Sequence, residues 1–231
     1  MGELNIVVLG DGLLGAEIVK QTTWPYLSRK KDNIEFTAPD TYYNSLLQYD
    51  IILNCIAHTD TYSLDRDKHW DINYKYVVEL ARFCKKHGKK LIHISTDYVY
   101  ANNKHVPSEE DAPVHAENWY SYTKLLGDAA VQLESKNNIV FRCTHKPTPF
   151  PYDKAWSDHY GNFDYVDIIA NLIIKSIYNE VIGVYNIGTP CKNMYELALR
   201  TNSNVKKGFT PANAPKNVIM KIDKLKKNNY E

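Results

Sequence analysis

The apolar run from Leu4 to Leu9 passes straight into GDGLLG and then into a stretch with helical spacing, Leu13 to Gln21. A continuous apolar run of this length is the signature of a strand buried on both faces. Turned at once into a helix through glycines, it builds one edge of a parallel sheet covered by helices. Gly10, Gly12 and Gly15 have the GxGxxG spacing. The first glycine permits the tight turn, the second lets a pyrophosphate approach the backbone, and the third lets helix pack on strand. The helix N-terminus adds free N–H groups and partial positive charge where phosphates would sit. Strand, turn and helix in this order predict a dinucleotide site made by Gly10, Gly12, Leu13, Leu14 and Gly15.

The rest of the chain repeats the alternation. Strands are expected at YLS after Pro25, at Ile34 to Phe36, Ile51 to Ile56, Leu91 to Ser95, Ile139 to Arg142 and Gly183 to Ile187. Helices are expected at Asp71 to His87, Trp119 to Ser135, Asp164 to Asn179 and, shorter, Asn193 to Thr201. The stretch from Thr144 to Gly161 is rich in proline and aromatic residues without periodicity and reads as a loop, and the KKNNYE end reads as frayed. The fold class that follows is α/β, a doubly wound parallel sheet of the Rossmann kind with a small C-terminal substrate-binding portion. Residues 1–145 are expected to form the cofactor domain with the catalytic residues. Residues 146–231 are expected to form a reduced substrate-binding portion packed on it, with 164–190 returning to the main sheet.

Composition narrows the partners. With 231 residues there is room for one large α/β domain, or for a main domain with a small lobe. A net charge of +1 carries no bias toward nucleic acid or an acidic membrane surface. Cys55, Cys84, Cys143 and Cys191 are scattered without CxxC spacing, so neither a metal site nor a disulfide framework is expected, and the thiols suit a reducing compartment. The first apolar run is too short for a signal peptide and no later segment approaches membrane-spanning length, so the expected location is the cytoplasm.

Where an NAD-type fingerprint carries an acidic residue, at the end of the second strand, this chain has Ser28, Arg29, Lys30 and Lys31. A carboxylate there would repel a ribose 2′-phosphate, whereas a guanidinium and a hydroxyl would hold it. NADP, used as NADPH, is therefore the expected cofactor, with NAD as the alternative. Arg29 is its expected selector.

Tyr120 and Lys124, in YSYTK, are four residues apart on an expected helix and project from one face. YxxxK alone is common. Here the strand LIHIS ends at STDYVY, which puts Ser95 and Thr96 at the carboxyl edge where α/β active sites form. Asn73, polar inside an expected helix, also needs a reason. The types fit carbonyl reduction: the alkoxide left by hydride addition must be protonated, a phenol can do it, and a nearby ammonium would lower the phenol's pKa from about 10 toward neutrality. Thr96 would hydrogen-bond the substrate oxygen.

These pieces, GDGLLG, LSRK, DIILNCIAHT, HISTDYVY, WYSYTKLLGD, FRCTH, YVDIIANLI and GVYNIG in order, resemble an extended short-chain dehydrogenase/reductase, and most of all the dTDP-4-dehydrorhamnose reductase group. The resemblance implies catalytic roles for Tyr120, Lys124 and Thr96. It also places the backbone of Ile56 and Ala57 and the residue Ser95 along the cofactor, and Asp97, Tyr98 and His145 against the sugar. It implies NADPH-dependent reduction of a 4-keto-6-deoxy nucleotide sugar of the dTDP- or UDP-4-dehydrorhamnose type, making an activated rhamnose-like sugar. Members of the group are usually longer, and KPTPFPYDKAWSDHYGNFD is short for the lobe that closes over the sugar, so a smaller pocket or one completed in a homodimer is expected. Two alternatives stand beside this reading. One is a regulatory NADP-binding subunit resembling the β subunit of methionine adenosyltransferase, which would need only the phosphate loop. The other is a nucleotide-sugar epimerase/reductase, which would need a further acid/base pair, with Cys143 and His145 the candidates.

Overall fold

The computed structural model describes residues 5–111, 113 and 118–229; Leu4 of the expected first strand and Tyr230 and Glu231 of the expected frayed end lie outside them. In chain order the first half consists of β1 (Ile6–Leu9), α1 (Leu13–Thr22), β2 (Tyr26–Leu27), α2 (Arg29–Asp32), α3 (Tyr43–Leu46), β3 (Ile51–Asn54) and α4 (Arg66–Trp70). A π-helical turn, Asp71–Lys75, joins α4 to α5 (Tyr76–Lys86), followed by β4 (Lys90–Ser95), α6 (Trp119–Glu134) and β5 (Ile139–Arg142). The second half adds β6 (His145–Lys146), β7 (Lys154–Trp156), β8 (Tyr160–Gly161), β9 (Asp164–Tyr165), α7 (Val166–Tyr178) and β10 (Gly183–Asn186). It ends with β11 (Lys192–Asn193), α8 (Met194–Leu199), β12 (Lys206–Gly208), β13 (Asn217–Val218) and α9 (Asp223–Asn229).

The main sheet has six parallel strands in the order β10-β5-β4-β3-β1-β2. All four residues of β1 and of β5 are buried, as their unbroken apolar runs require of strands covered on both sides. On one face Ile6, Val8 and Phe141 meet Leu14 and Ile18 of α1 and Ile169 and Ile173 of α7. On the other, Val7, Leu9 and Val140 meet Val77 and Leu80 of α5 and Val131 of α6. The chain leaves β1 for β2 on one side and returns to β3 on the other, so the strand order reverses beside β1. That reversal opens a crevice at the carboxyl ends of the strands, where ligands of such sheets bind.

Three sequence expectations change. Ile34 to Phe36 form no strand: both side chains are buried against Tyr42 and Leu46, and the intervening backbone is served by a turn, with Glu35 N–H donating to Thr41 Oγ1 at 3.2 Å. Ser28, expected as the last residue of β2, instead caps α2, its Oγ accepting from Lys31 N–H at 3.2 Å. The stretch from Thr144 to Gly161 is not a bare loop. It holds β6, which pairs with β9, β7, which pairs with β12, and β8, which lies between β11 and β13, and Asp164 and Tyr165 lie in β9 rather than in the helix that follows. Over these small sheets lies a separate core of Phe150, Phe163, Tyr165, Met194, Leu197, Val205 and Val218.

Candidate active site

The glycine loop is shaped by close approach. Gly10 sits at φ +93°, a conformation side chains rarely adopt, and a Cβ on Gly15 would lie 2.1 Å from the Gly10 carbonyl oxygen, so only glycine lets α1 seat this close to β1. A Cβ on Gly12 would meet nothing within 4 Å, so that position opens onto the crevice. Gly12 is the N-cap of α1 and no side chain caps it, which leaves the first N–H groups of the helix for a ligand. Leu13 beside it is 45% exposed.

At the tip of β2 the buried Ser28 takes two local bonds, from Lys31 N–H to its Oγ and from its own N–H to Asp32 Oδ2 at 2.9 Å. Its hydroxyl proton is still available to an acceptor. Arg29 and Lys30 are exposed, and Lys31 lies over the Tyr26 ring, 4.2 Å from its centroid.

Asn73 gets its reason from the loop after β3. Its Oδ1 accepts from His58 N–H at 2.8 Å and its Nδ2 donates to the His58 carbonyl at 3.1 Å. This two-way clamp fixes the segment in which Ala57 and Thr59 face the cleft. Ile56 does not line it; its side chain packs at Gly10, and its N–H donates to Asn54 Oδ1 at 3.0 Å. Asn73 lies in the π-helical turn, and α6 packs onto that turn at Gly127, where a Cβ would sit 2.3 Å from the Asn73 carbonyl oxygen.

Asn118 starts α6, accepting from Ser121 N–H at 2.8 Å; the first turn presents Tyr120 and the next presents Lys124. Thr96, just after β4, lines the cleft with Tyr120; its Oγ1 accepts from Tyr98 N–H at 3.2 Å and donates to Asp97 Oδ1 at 3.3 Å. Thr144 donates to the same Asp97 oxygen at 2.6 Å. Burial pushes the Asp97 carboxyl up to about 6, against the pull of the Thr144 and Thr96 bonds and the Lys146 charge. Burial also raises the Tyr120 phenol, opposed by the neighbouring Thr96 hydroxyl, and keeps it protonated. Lys124 is pushed down to about 8, chiefly by burial. Its Nζ does not turn to Tyr120 but donates to the Ile94 carbonyl at 2.5 Å and lies 3.5 Å from His93 Nε2. The lowering of Tyr120 by this ammonium, expected from the helical spacing, has therefore no counterpart in this arrangement.

Gly12, Leu13, Leu14, Ala57, Ser95, Thr96, Tyr98, Tyr120, Lys124 and His145 all line one cleft of about 430 Å³. Ser28 and Arg29 lie beyond it, at the β2 tip next to Gly10, whose N–H donates to the Leu27 carbonyl at 2.9 Å. The far wall was hidden in the stretch read as a loop: Lys146, Tyr152, Trp156 and His159, with Met194 from α8. Its density of aromatic residues was the one available signal. No carboxylate lines the cleft among the described residues, whereas two lysines do, which suits an anionic occupant. His145 is pushed down to about 4 by burial and the Lys146 charge, and burial raises the Cys143 thiol; a weak base beside a weak acid makes a poor acid/base pair. The glycine loop, the uncapped α1 and the cationic β2 tip together fit a phosphorylated dinucleotide.

The profile of the RmlD substrate binding domain matches residues 4–145, more than half of the chain. The chain is 26% identical over 210 residues to the spore coat polysaccharide biosynthesis protein SpsK of Bacillus subtilis, covering 79% of this chain and 72% of that protein. It is 28% identical over 140 residues to the dTDP-4-dehydrorhamnose reductase of Mycobacterium tuberculosis, covering 55% of this chain and 45% of the other, so the matched part spans under half of that reductase. The structure of dTDP-4-dehydrorhamnose reductase from Bacillus anthracis in complex with NADP superposes with a TM-score of 0.81 at 20% identity, covering 96% of this chain and 92% of that one. At that identity the likeness is one of fold.

Proposed function

The chain belongs to the RmlD substrate binding domain family, and from that premise we propose that it is an NADPH-dependent reductase of a 4-keto-6-deoxy nucleotide sugar. The carrying observation is the cleft itself: Tyr120, with Thr96 in the same wall and Lys124 one helical turn away, opens into the same space as the uncapped glycine loop. A protein that only bound the dinucleotide would have no use for that phenol, and burial leaves His145 a weak base and Cys143 a weak acid, which disfavours an epimerase pair.

Gly10, Gly12 and Gly15 and the first N–H groups of α1 would hold the pyrophosphate, with Ser28 and Arg29 at the 2′-phosphate; NADPH, once bound, supplies the hydride. The chain's own work is proton transfer and orientation. As charge grows on the substrate oxygen, the Tyr120 phenol gives it a proton, and a phenol kept protonated by burial is ready for that step. Thr96 orients the same oxygen. Residues 146–231 act as the substrate side, where Tyr152 and Trp156 offer aromatic faces and Lys146 offers charge to a diphosphate.

The test is loss of NADPH absorbance with a panel of 4-keto nucleotide sugars carrying dTDP or UDP. Stoichiometric oxidation with at least one of them is expected. Tight NADPH binding with no oxidation by any member would favour a regulatory NADP-binding subunit instead.

A further inference from the structure

Lys124 lies at the end of a buried chain of hydrogen bonds whose direction can be read from its other end. Asn54 Oδ1 accepts from the Ile56 N–H at 3.0 Å, which fixes the carboxamide so that its Nδ2 faces His93 Nδ1 at 3.3 Å. An amide nitrogen only donates, so Nδ1 accepts, and a neutral ring must carry its proton on Nε2. The ring is neutral: His93 is fully buried, and burial together with the Lys124 charge drives its pKa well below the ordinary histidine value. Nε2–H therefore faces Lys124 Nζ, 3.5 Å away, while Nζ donates to the Ile94 carbonyl. An ammonium has no lone pair to receive Nε2–H, but an amine has one.

From this polarity we infer that His93, oriented by Asn54, is a positioning residue that favours the amine form of Lys124 and so makes its ammonium a ready proton donor to Tyr120. In one turnover the Tyr120 O–H bond breaks as its proton passes to the substrate oxygen. The phenolate then takes a proton from water in the cleft, which takes one in turn from the Lys124 ammonium, an N–H bond breaking as the O–H bond of Tyr120 forms. The amine, accepting Nε2–H from His93, regains its proton from water in the cleft. Overall one hydride from NADPH and one proton from water reduce one carbonyl to an alcohol.

Around Lys124 the Asp128 carboxylate raises its pKa, but burial, the larger cause, outweighs it. Asp128, on the same helix, is committed to Arg142, Oδ2 to Nε at 2.8 Å. The thiols of Cys55 and Cys143, beyond β3 and β5, are raised by burial and uncharged, and Tyr120 is a neutral phenol. Lys124 itself is pushed down to about 8, burial being the largest cause.

The inference rests on the reductase reading, but its test requires neither turnover nor cofactor. In the full chain labelled with ¹⁵N-histidine and ¹³Cε-lysine, NMR is expected to show His93 neutral with its proton on Nε2 between pH 6 and 8. With the His93 signal assigned in the unsubstituted protein by backbone correlation, the His93→Met variant is expected to raise the Lys124 titration midpoint by roughly one pH unit, a tenfold change in the amine fraction. A proton on Nδ1, or an unchanged Lys124 midpoint, would overturn the inference. The tautomer is read on the unsubstituted protein, so a variant that fails to fold still leaves a decisive result. Absence of NADPH oxidation with every sugar nucleotide would sink the reductase reading and leave the tautomer result standing.

Discussion

Arg29 stands exposed in the first turn of α2, one residue beyond the β2 tip and beside the glycine loop. Its neighbours Lys30 and Lys31 are also exposed, but Lys31 leans on Tyr26 and donates to the Tyr26 carbonyl at 3.2 Å, so Arg29 and Lys30 are the cations left to meet a phosphate. A charge-assisted bond of this kind contributes about 1.5–3 kcal/mol. Arg29→Ala is therefore expected to weaken NADPH binding roughly tenfold or more while leaving NADH within about twofold, read by fluorescence titration. Equal losses would rule out a 2′-phosphate role. Residues such as Gly10, Gly12, Gly15, Tyr120, Lys124 and Thr96 could be picked out from the sequence because their meaning lies in local spacing. His93 could not: inside LIHIS it reads as one more core position, and its role depends on Asn54 from β3 and Lys124 from α6. Lys146 was hidden for the same reason.

The element that positions the site is the joint between the π-helical turn and α6. Asn73 clamps the loop after β3, and Gly127 lets α6 lie against the Asn73 carbonyl. Gly127→Ala would force a methyl group to within 2.3 Å of a backbone oxygen that cannot rotate away, so α6 must shift and carry Tyr120 and Lys124 with it. Such overpacking costs about 1–3 kcal/mol. A lower urea midpoint together with reduced turnover is expected, and an unchanged midpoint would show that the joint yields freely. Among the elements, those of the main sheet were legible because continuous apolar runs mark strands covered on both faces. Strands β6 to β9 were not, since two- or three-residue strands carry no period and their partners lie far along the chain. Ile34 and Phe36 misled for the opposite reason: they are apolar for a core that a turn delivers them to.

Across the whole molecule, one sheet edge gathers the glycine loop after β1, Thr96 after β4 and Tyr120 at the start of α6, while the second half of the chain contributes the opposite wall. Among the described residues no helix is long and apolar enough to cross a membrane. The parallel topology was legible from the alternation of runs; the shape of the opposite wall, and with it the sugar that fits, was not, because it depends on how small sheets dock. The decisive question is whether this edge performs reduction through its phenol. The most direct measurement compares Tyr120→Phe with the unsubstituted protein for NADPH oxidation and NADPH affinity side by side. Turnover is expected to fall roughly a hundredfold or more with the dissociation constant for NADPH nearly unchanged, and a variant that still oxidises NADPH at the original rate would contradict it.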